Sequence, residues 1–237
     1  IMKSIKSILS LLVLSLAFMM VSCDNEPIDP AINVGGPGSG GGSSSGDYWP
    51  TAINNEWNME RDGAALDPIK IIATGNFGGQ TYYKFAPQSG SGTSTSGTVT
   101  TWLNKSGGLY KIKTDDFVVN AGTISGVQTG FEYVVLNDNL NVGQTWNGNY
   151  SQTTTYTGMS PIVINTTYTG TILEKNVTEV VNGETFPNVI KLKMILESSF
   201  SGTTSTQELI YWYSKDVGPI KTTSPGSNSI LIDYILY

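Results

Sequence analysis

Apolar and polar residues alternate along NVIKLKMILESSF, residues 188–200. Ile190, Leu192, Met194 and Leu196 fall on one side, and Lys191, Lys193 and Glu197 fall on the other. Side chains alternate across a strand, so this pattern predicts a sheet with one dry and one wet face. KIKT repeats it, with Tyr110 and Ile112 opposite Lys111 and Lys113. Similar short runs, rich in Thr, Tyr, Val and Ile, predict strands over 69–74, 80–86, 98–104, 108–113, 131–136 and 144–150. Later ones are predicted over 162–175, 177–181, 189–200, 208–214, 219–223 and 229–237. Asn182-Gly183 between Val181 and Thr185 is suited to a type I′ hairpin turn. Gly78-Gly79, Gly107-Gly108 and Pro225-Gly226 mark further reversals. No segment of the body shows the 3.6-residue spacing of an amphipathic helix. The expected fold is all-β: an antiparallel meander forming a curved sheet, a barrel or half-barrel, with a two-layer β-sandwich as the alternative.

The amino end follows another pattern. Lys3 and Lys6 precede an apolar run over 8–21 interrupted by Ser10 and Ser15. The run is short of the roughly 20 residues a membrane span needs and has the size of a signal-peptide core. Met20-Val21-Ser22-Cys23 ends it and resembles a bacterial lipobox, with Met20 where leucine is usual. The resemblance implies cleavage before Cys23 and a diacylglyceryl group on its thiol. It also implies a membrane anchor firmer than one acyl chain provides. Asp24, Asn25 and Glu26 come next. Such residues resemble an inner-membrane retention signal of enteric bacteria, or a surface-export signal of Bacteroidota, and the β-rich body favours the second. Residues 34–46, VGGPGSGGGSSSG, hold almost nothing that packs. They predict a coil spanning roughly 25 Å. The expected organisation is a signal peptide over 1–22, a lipidated Cys23 and tether over 23–46, and one β-rich domain over 47–237.

Composition narrows the chemistry. The net charge is −6, histidine is absent, and Arg61 is the one arginine. No basic cluster exists to hold nucleic acid or phosphate. Without imidazole, and with the one cysteine committed to lipid, histidine-dependent triads, disulfides and zinc–thiolate sites are excluded. Two polar groupings invite a test. Asn137, Asp138, Asn139 and Asn141 could bind calcium weakly, but they read better as a tight turn. Asp115-Asp116 are adjacent, so their side chains point apart along a strand and do not form a catalytic pair unaided. The Ser/Thr tracts at 89–97, 153–157 and 201–206 read as solvated hairpin tips or strand edges.

Four phrases, DYWPTAINNEW (47–57), LNVGQTWNG (140–148), TFPNVIKLK (185–193) and WYSKDVGPIKT (212–222), together resemble a group of Bacteroidota lipoproteins of unknown function. The resemblance implies a β-rich unit on a lipid anchor and supplies no reaction. In physical terms, Trp57, Trp146 and Trp212 read as core or barrel-end aromatics, and Tyr48 and Trp49 as a plug at one end of the sheet. Gly218 should take a conformation other residues avoid. The expected role is a non-enzymatic binding module for a small apolar or amphipathic ligand, an architecture that resembles lipocalin-like barrels. A surface interaction subunit and a carboxylate-based carbohydrate-active enzyme are the alternatives. No catalytic residue, metal ligand or cofactor is assigned. The expected partners are the membrane, through Cys23, and a small ligand or a protein. The expected location is the outer membrane, at the cell surface or facing the periplasm.

Overall fold

The computed structural model describes residues 46–89, 98–121 and 124–237. The expected signal peptide, Cys23, most of the expected tether and the tract at 90–97 lie outside the described residues. Within them every helix or strand assigned is a strand. In chain order the first eight are β1 (Glu56–Arg61), β2 (Ala64–Ala65), β3 (Ile69–Phe77), β4 (Gln80–Phe85), β5 (Gln88–Ser89), β6 (Thr98–Val99), β7 (Thr101–Ser106) and β8 (Leu109–Thr114). Then follow β9 (Phe117–Ala121), β10 (Ile124–Gln128), β11 (Phe131–Asn137), β12 (Thr145–Tyr156), β13 (Ile162–Val181), β14 (Glu184–Phe200), β15 (Thr203–Ser214), β16 (Gly218–Ser224) and β17 (Ser227–Ile235).

Fifteen strands form one antiparallel sheet, ordered β11-β8-β7-β4-β3-β1-β17-β16-β15-β14-β13-β12-β10-β9 with β2 beside β1. β12 to β17 are a meander of consecutive hairpins, and β1 to β8 supply a second. The β1–β17 ladder joins the two. β5 and β6 pair apart from this path as a two-stranded sheet; the path is continuous and, among the described residues, its hydrogen-bonded ladder is not closed. It is nevertheless folded on itself, because Leu103 and Tyr110 from one half share a core with Leu192, Met194 and Ile220 from the other. The hairpin turn at Asn182-Gly183 has the positive φ values its sequence implied, 48° and 79°. Residues 162–181 form one strand where two were expected. Register shifts around Glu174 and Val177 bend it without ending it. β1, β9 and β10 are strands the alternation did not disclose.

One end of the folded sheet is plugged by the segment that enters it. Tyr48 is wholly buried, and its N–H donates to the Tyr110 hydroxyl at 3.0 Å. The Trp49 ring lies 5.6 Å from Phe85 and from Tyr213, and 6.3 Å from Trp57. Asp47 pairs with Lys105 at 2.5 Å and moors the entry. Trp57 is fully buried, and its Nε1 donates to the Val217 carbonyl at 2.7 Å. That approach leaves no room for a side chain at Gly218, whose φ is 116°.

Candidate functional site

The inner face of β12 to β15 changes character along its length. Successive cross-strand rows read Ile172–Leu192–Tyr211, Gly170–Met194–Leu209, Tyr168–Leu196–Gln207 and Thr166–Ser198–Ser205. Near the plug the rows are aliphatic and sealed, with Ile172, Leu192 and Met194 wholly buried. Farther out they become hydroxylic. Tyr211 and Leu209 extend the two inner rows, Leu196 stands in the third and Tyr150 faces Thr166 in the outermost; with Tyr133 they are only half-buried. They form an aromatic and aliphatic floor below a rim of Ser and Thr. Arg61 stands level with the Ile172–Leu192–Tyr211 row, across Thr222 and Ser229, its Nε donating to Ser229 Oγ at 3.2 Å.

Rings and hydroxyls on this floor hold one another. Phe131 stacks on Tyr150 at 4.6 Å, and Tyr133 packs edge-on against Tyr168 at 5.8 Å. Tyr211 stacks with Tyr213 at 6.0 Å. The Tyr133 and Tyr211 hydroxyls approach each other and Tyr150 approaches Thr166, whose Oγ1 lies 2.9 Å from Ser198 Oγ. Burial pushes the phenols of Tyr133 and Tyr211 well above their usual range, and neighbouring tyrosines push further. Burial also raises Tyr150, against the opposing bond from Thr166. The floor is therefore uncharged at neutral pH. It offers ring faces and neutral hydroxyls.

The two margins of the folded sheet meet beside this floor. β10 pairs with the outer half of β12, and β11 then runs along the inner half without forming a ladder. Side chains bridge the gap. The Val134 N–H donates to the Tyr168 hydroxyl at 3.2 Å, and Trp146 Nε1 donates to the Val134 carbonyl at 2.9 Å. Tyr168 lies opposite Gly148 and Trp146 opposite Gly170. A methyl group at Gly148 would collide with the Tyr168 ring and hydroxyl, and one at Gly170 with the Trp146 indole. Two glycines thus let two aromatics cross their own sheet and satisfy a neighbouring edge.

The other sequence-derived candidates divide. Asp115 accepts from Trp102 Nε1 at 2.8 Å and pairs with Lys113, whereas Asp116 accepts from the Gly130 N–H at 2.7 Å. The two carboxylates serve different partners and do not form a pair. In the turn at 137–141, Lys175 Nζ donates to the carbonyls of Asp138 and Leu140 at 2.8 and 3.0 Å, so an ammonium group already meets these oxygens. Asn137 Oδ1 accepts from the Asn139 N–H at 3.2 Å, the bond of a tight turn. Asn141 closes that turn through its N–H to Gln144 Oε1. Trp212 is buried on the outer face, between Lys191 and Lys221. Those lysines pair with Glu174 and Glu179 of the bent β13. The tyrosine floor was not singled out from sequence. Its signal is the alternation in FEYVV and LIYWY, which places Phe131 with Tyr133 and Tyr211 with Tyr213.

No family model matches the chain, and no curated protein matches it. Two solved structures resemble it. One, from Parabacteroides distasonis and described as a candidate lipoprotein, is 12% identical with a TM-score of 0.50. The alignment covers 80% of this chain and 99% of that one. The other, from Bacteroides fragilis, is described as a candidate exported protein with a YmcC-like fold. It is 10% identical over 81% of this chain and 100% of that one, with a TM-score of 0.42.

Proposed function

We propose that this chain is a lipid-anchored binding module that takes up a small amphipathic ligand at the open end of its folded sheet. The observation carrying the reading is the half-buried floor of Tyr133, Tyr150, Leu196, Leu209 and Tyr211 beneath a hydroxylic rim. Apolar parts of a ligand would bury against the rings. Its polar end would meet Ser198 and Ser205. Binding sites commonly pair a mostly apolar surface with a few placed polar groups. The neutral phenols favour binding over acid–base catalysis, and the reading assigns no reaction.

In this reading Cys23 carries the anchor and the glycine-rich tether holds the domain off an outer membrane. The structurally similar Parabacteroides protein, described as a candidate lipoprotein, supports an exported, membrane-associated chain. Mass spectrometry of protein purified from its native host tests the ligand. A stoichiometric amphiphile beyond the covalent lipid supports the reading, and an empty chain after gentle extraction counts against it. Protease shaving of living cells tests the surface assignment.

An interaction subunit is the second reading. It is favoured by β9, the last strand of the ladder, where Val118 and the facing Val127 are 44% and 49% exposed. Apolar edge strands invite pairing with another chain. Cross-linking on intact cells would recover a stable partner if this reading holds.

A further inference from the structure

The outer face of β3, β4, β7, β8 and β11 carries a second aromatic cluster, away from the tyrosine floor. Phe77 packs edge to face with Tyr82 at 5.1 Å and with Trp102 at 5.0 Å. The Trp102 ring reaches across to Gly75, where a Cβ would sit 2.8 Å from it. Polar groups frame the rings. Trp102 Nε1 donates to Asp115 at 2.8 Å, and the Tyr82 hydroxyl donates to Glu132 at 2.6 Å. Lys113 and Lys111 pair with Asp115 and Glu132 respectively. Beneath the cluster Asn104 is 3% exposed; its Nδ2 donates to the Thr81 carbonyl, and its Oδ1 meets no partner among the described residues. A cleft of about 400 Å³ lies at the end of the β8–β11 ladder, walled by Lys113, Asp115, Asp116, Phe131 and Glu132; Phe77, Tyr82 and Trp102 border it through Lys113, Asp115 and Glu132 and do not line it.

We propose that this face binds a neutral saccharide. Sugars combine a C–H face that stacks on rings with hydroxyls that bond in both directions. The cluster offers the matching pair of surfaces. Its three carboxylates, Asp115, Asp116 and Glu132, are balanced by Lys84, Lys111 and Lys113. No net charge therefore favours an anion or a cation. A purely apolar ligand would strip water from the framing ion pairs and return no hydrogen bond. The volume lies within the ordinary range for small-ligand sites. Lys84 and Lys113 reach over the rings in the free protein, 5.4 Å from Trp102 and 4.5 Å from Phe77, so stacking on those faces requires their ammonium ends to move aside, Lys113 from its pair with Asp115. The cleft meets the tyrosine floor at Phe131, whose ring also stacks on Tyr150, but Tyr133, Tyr150 and Tyr211 take no part in it.

The test uses the full chain in a detergent without a sugar head group. It is titrated with neutral α- and β-linked trisaccharides of glucose, mannose and galactose, read by saturation-transfer NMR and calorimetry. At least one should bind saturably. Trp102→Ala should weaken that binding about tenfold, the loss of one ring stack. Glu132→Gln, at a partly exposed position, should weaken it severalfold with the melting temperature unchanged. Absence of saturable binding across the panel overturns the proposal. So does unchanged affinity in Glu132→Gln together with a folded Trp102→Ala, or loss of binding in Tyr211→Ala instead. If Trp102→Ala does not fold, Glu132→Gln decides alone. Tighter binding of a sulfated trisaccharide than of its neutral parent would also overturn it.

Discussion

Replacing Tyr168 with Phe removes one oxygen from the seam between β11 and β12 and leaves the ring in place. That oxygen accepts the Val134 N–H at 3.2 Å, and Tyr168 is 7% exposed. No ladder partner stands ready for the amide, because β11 does not pair with β12. An unmet, largely buried donor costs roughly 1–3 kcal/mol. We expect about 1–2 kcal/mol, because the gap between the strands could admit water. For a domain of this size that lowers the melting temperature by roughly 2–8 °C. Thermal unfolding followed by circular dichroism reads the global loss. Amide exchange of Val134 reads the local one, and should quicken about 5–30-fold. Gly148→Ala, which would push the same ring away, should give a similar local signature. A Val134 amide that exchanges as slowly in Tyr168→Phe as in the parent would refute the seam.

Trp49→Ala should loosen the plugged end, because the ring fills space between Phe85, Trp57 and Tyr213. A loss of about 3–5 kcal/mol is expected in denaturant titration, and a loss below about 1 kcal/mol would contradict the plug. Alkaline pH should unfold the domain. The phenols of Tyr82, Tyr133 and Tyr213 are raised in the folded state, Tyr82 to about 12, with burial the leading cause. Their contribution is complete below the unfolded value near 10 and declines as pH rises toward the folded values. Ultraviolet phenolate titration should show these groups ionising together with unfolding; ordinary titration near pH 10 without unfolding would contradict their burial. Cys23→Ser should move the exported chain from the detergent phase to the aqueous phase. Retention in detergent would remove the anchor.

Much of the fold was legible because a strand sheet with one wet face writes itself as alternation. Ile190, Leu192 and Met194 are wholly buried as their spacing implied, and Tyr110 sits opposite Lys111. β9 and β10 were not legible. FVVNA is apolar on successive residues, so the buried Val119 and the exposed Val118 read alike. They also leave the local meander, pairing with β12 before β11 returns to β8. β1 was hidden in EWNMER, where charged residues occupy the half-exposed face and Trp57 and Met59 the buried one. The plug by Tyr48 and Trp49 could be read from aromatics directly after a tether. The tyrosine floor could not, because Tyr133, Tyr150 and Tyr211 come from three separated strands and only their register brings them together. Gly148 and Gly170 were silent for a related reason. In a strand a glycine signals close approach, but not what approaches.

The most direct measurement is a titration of the folded chain with a fluorescent amphiphile, followed by the ring resonances of labelled tyrosines. The account predicts saturable one-to-one binding, with Tyr133, Tyr150 and Tyr211 shifting together and Tyr82 on the outer face remaining still. Absence of saturation, or shifts confined to Tyr82 and the outer face, would contradict it.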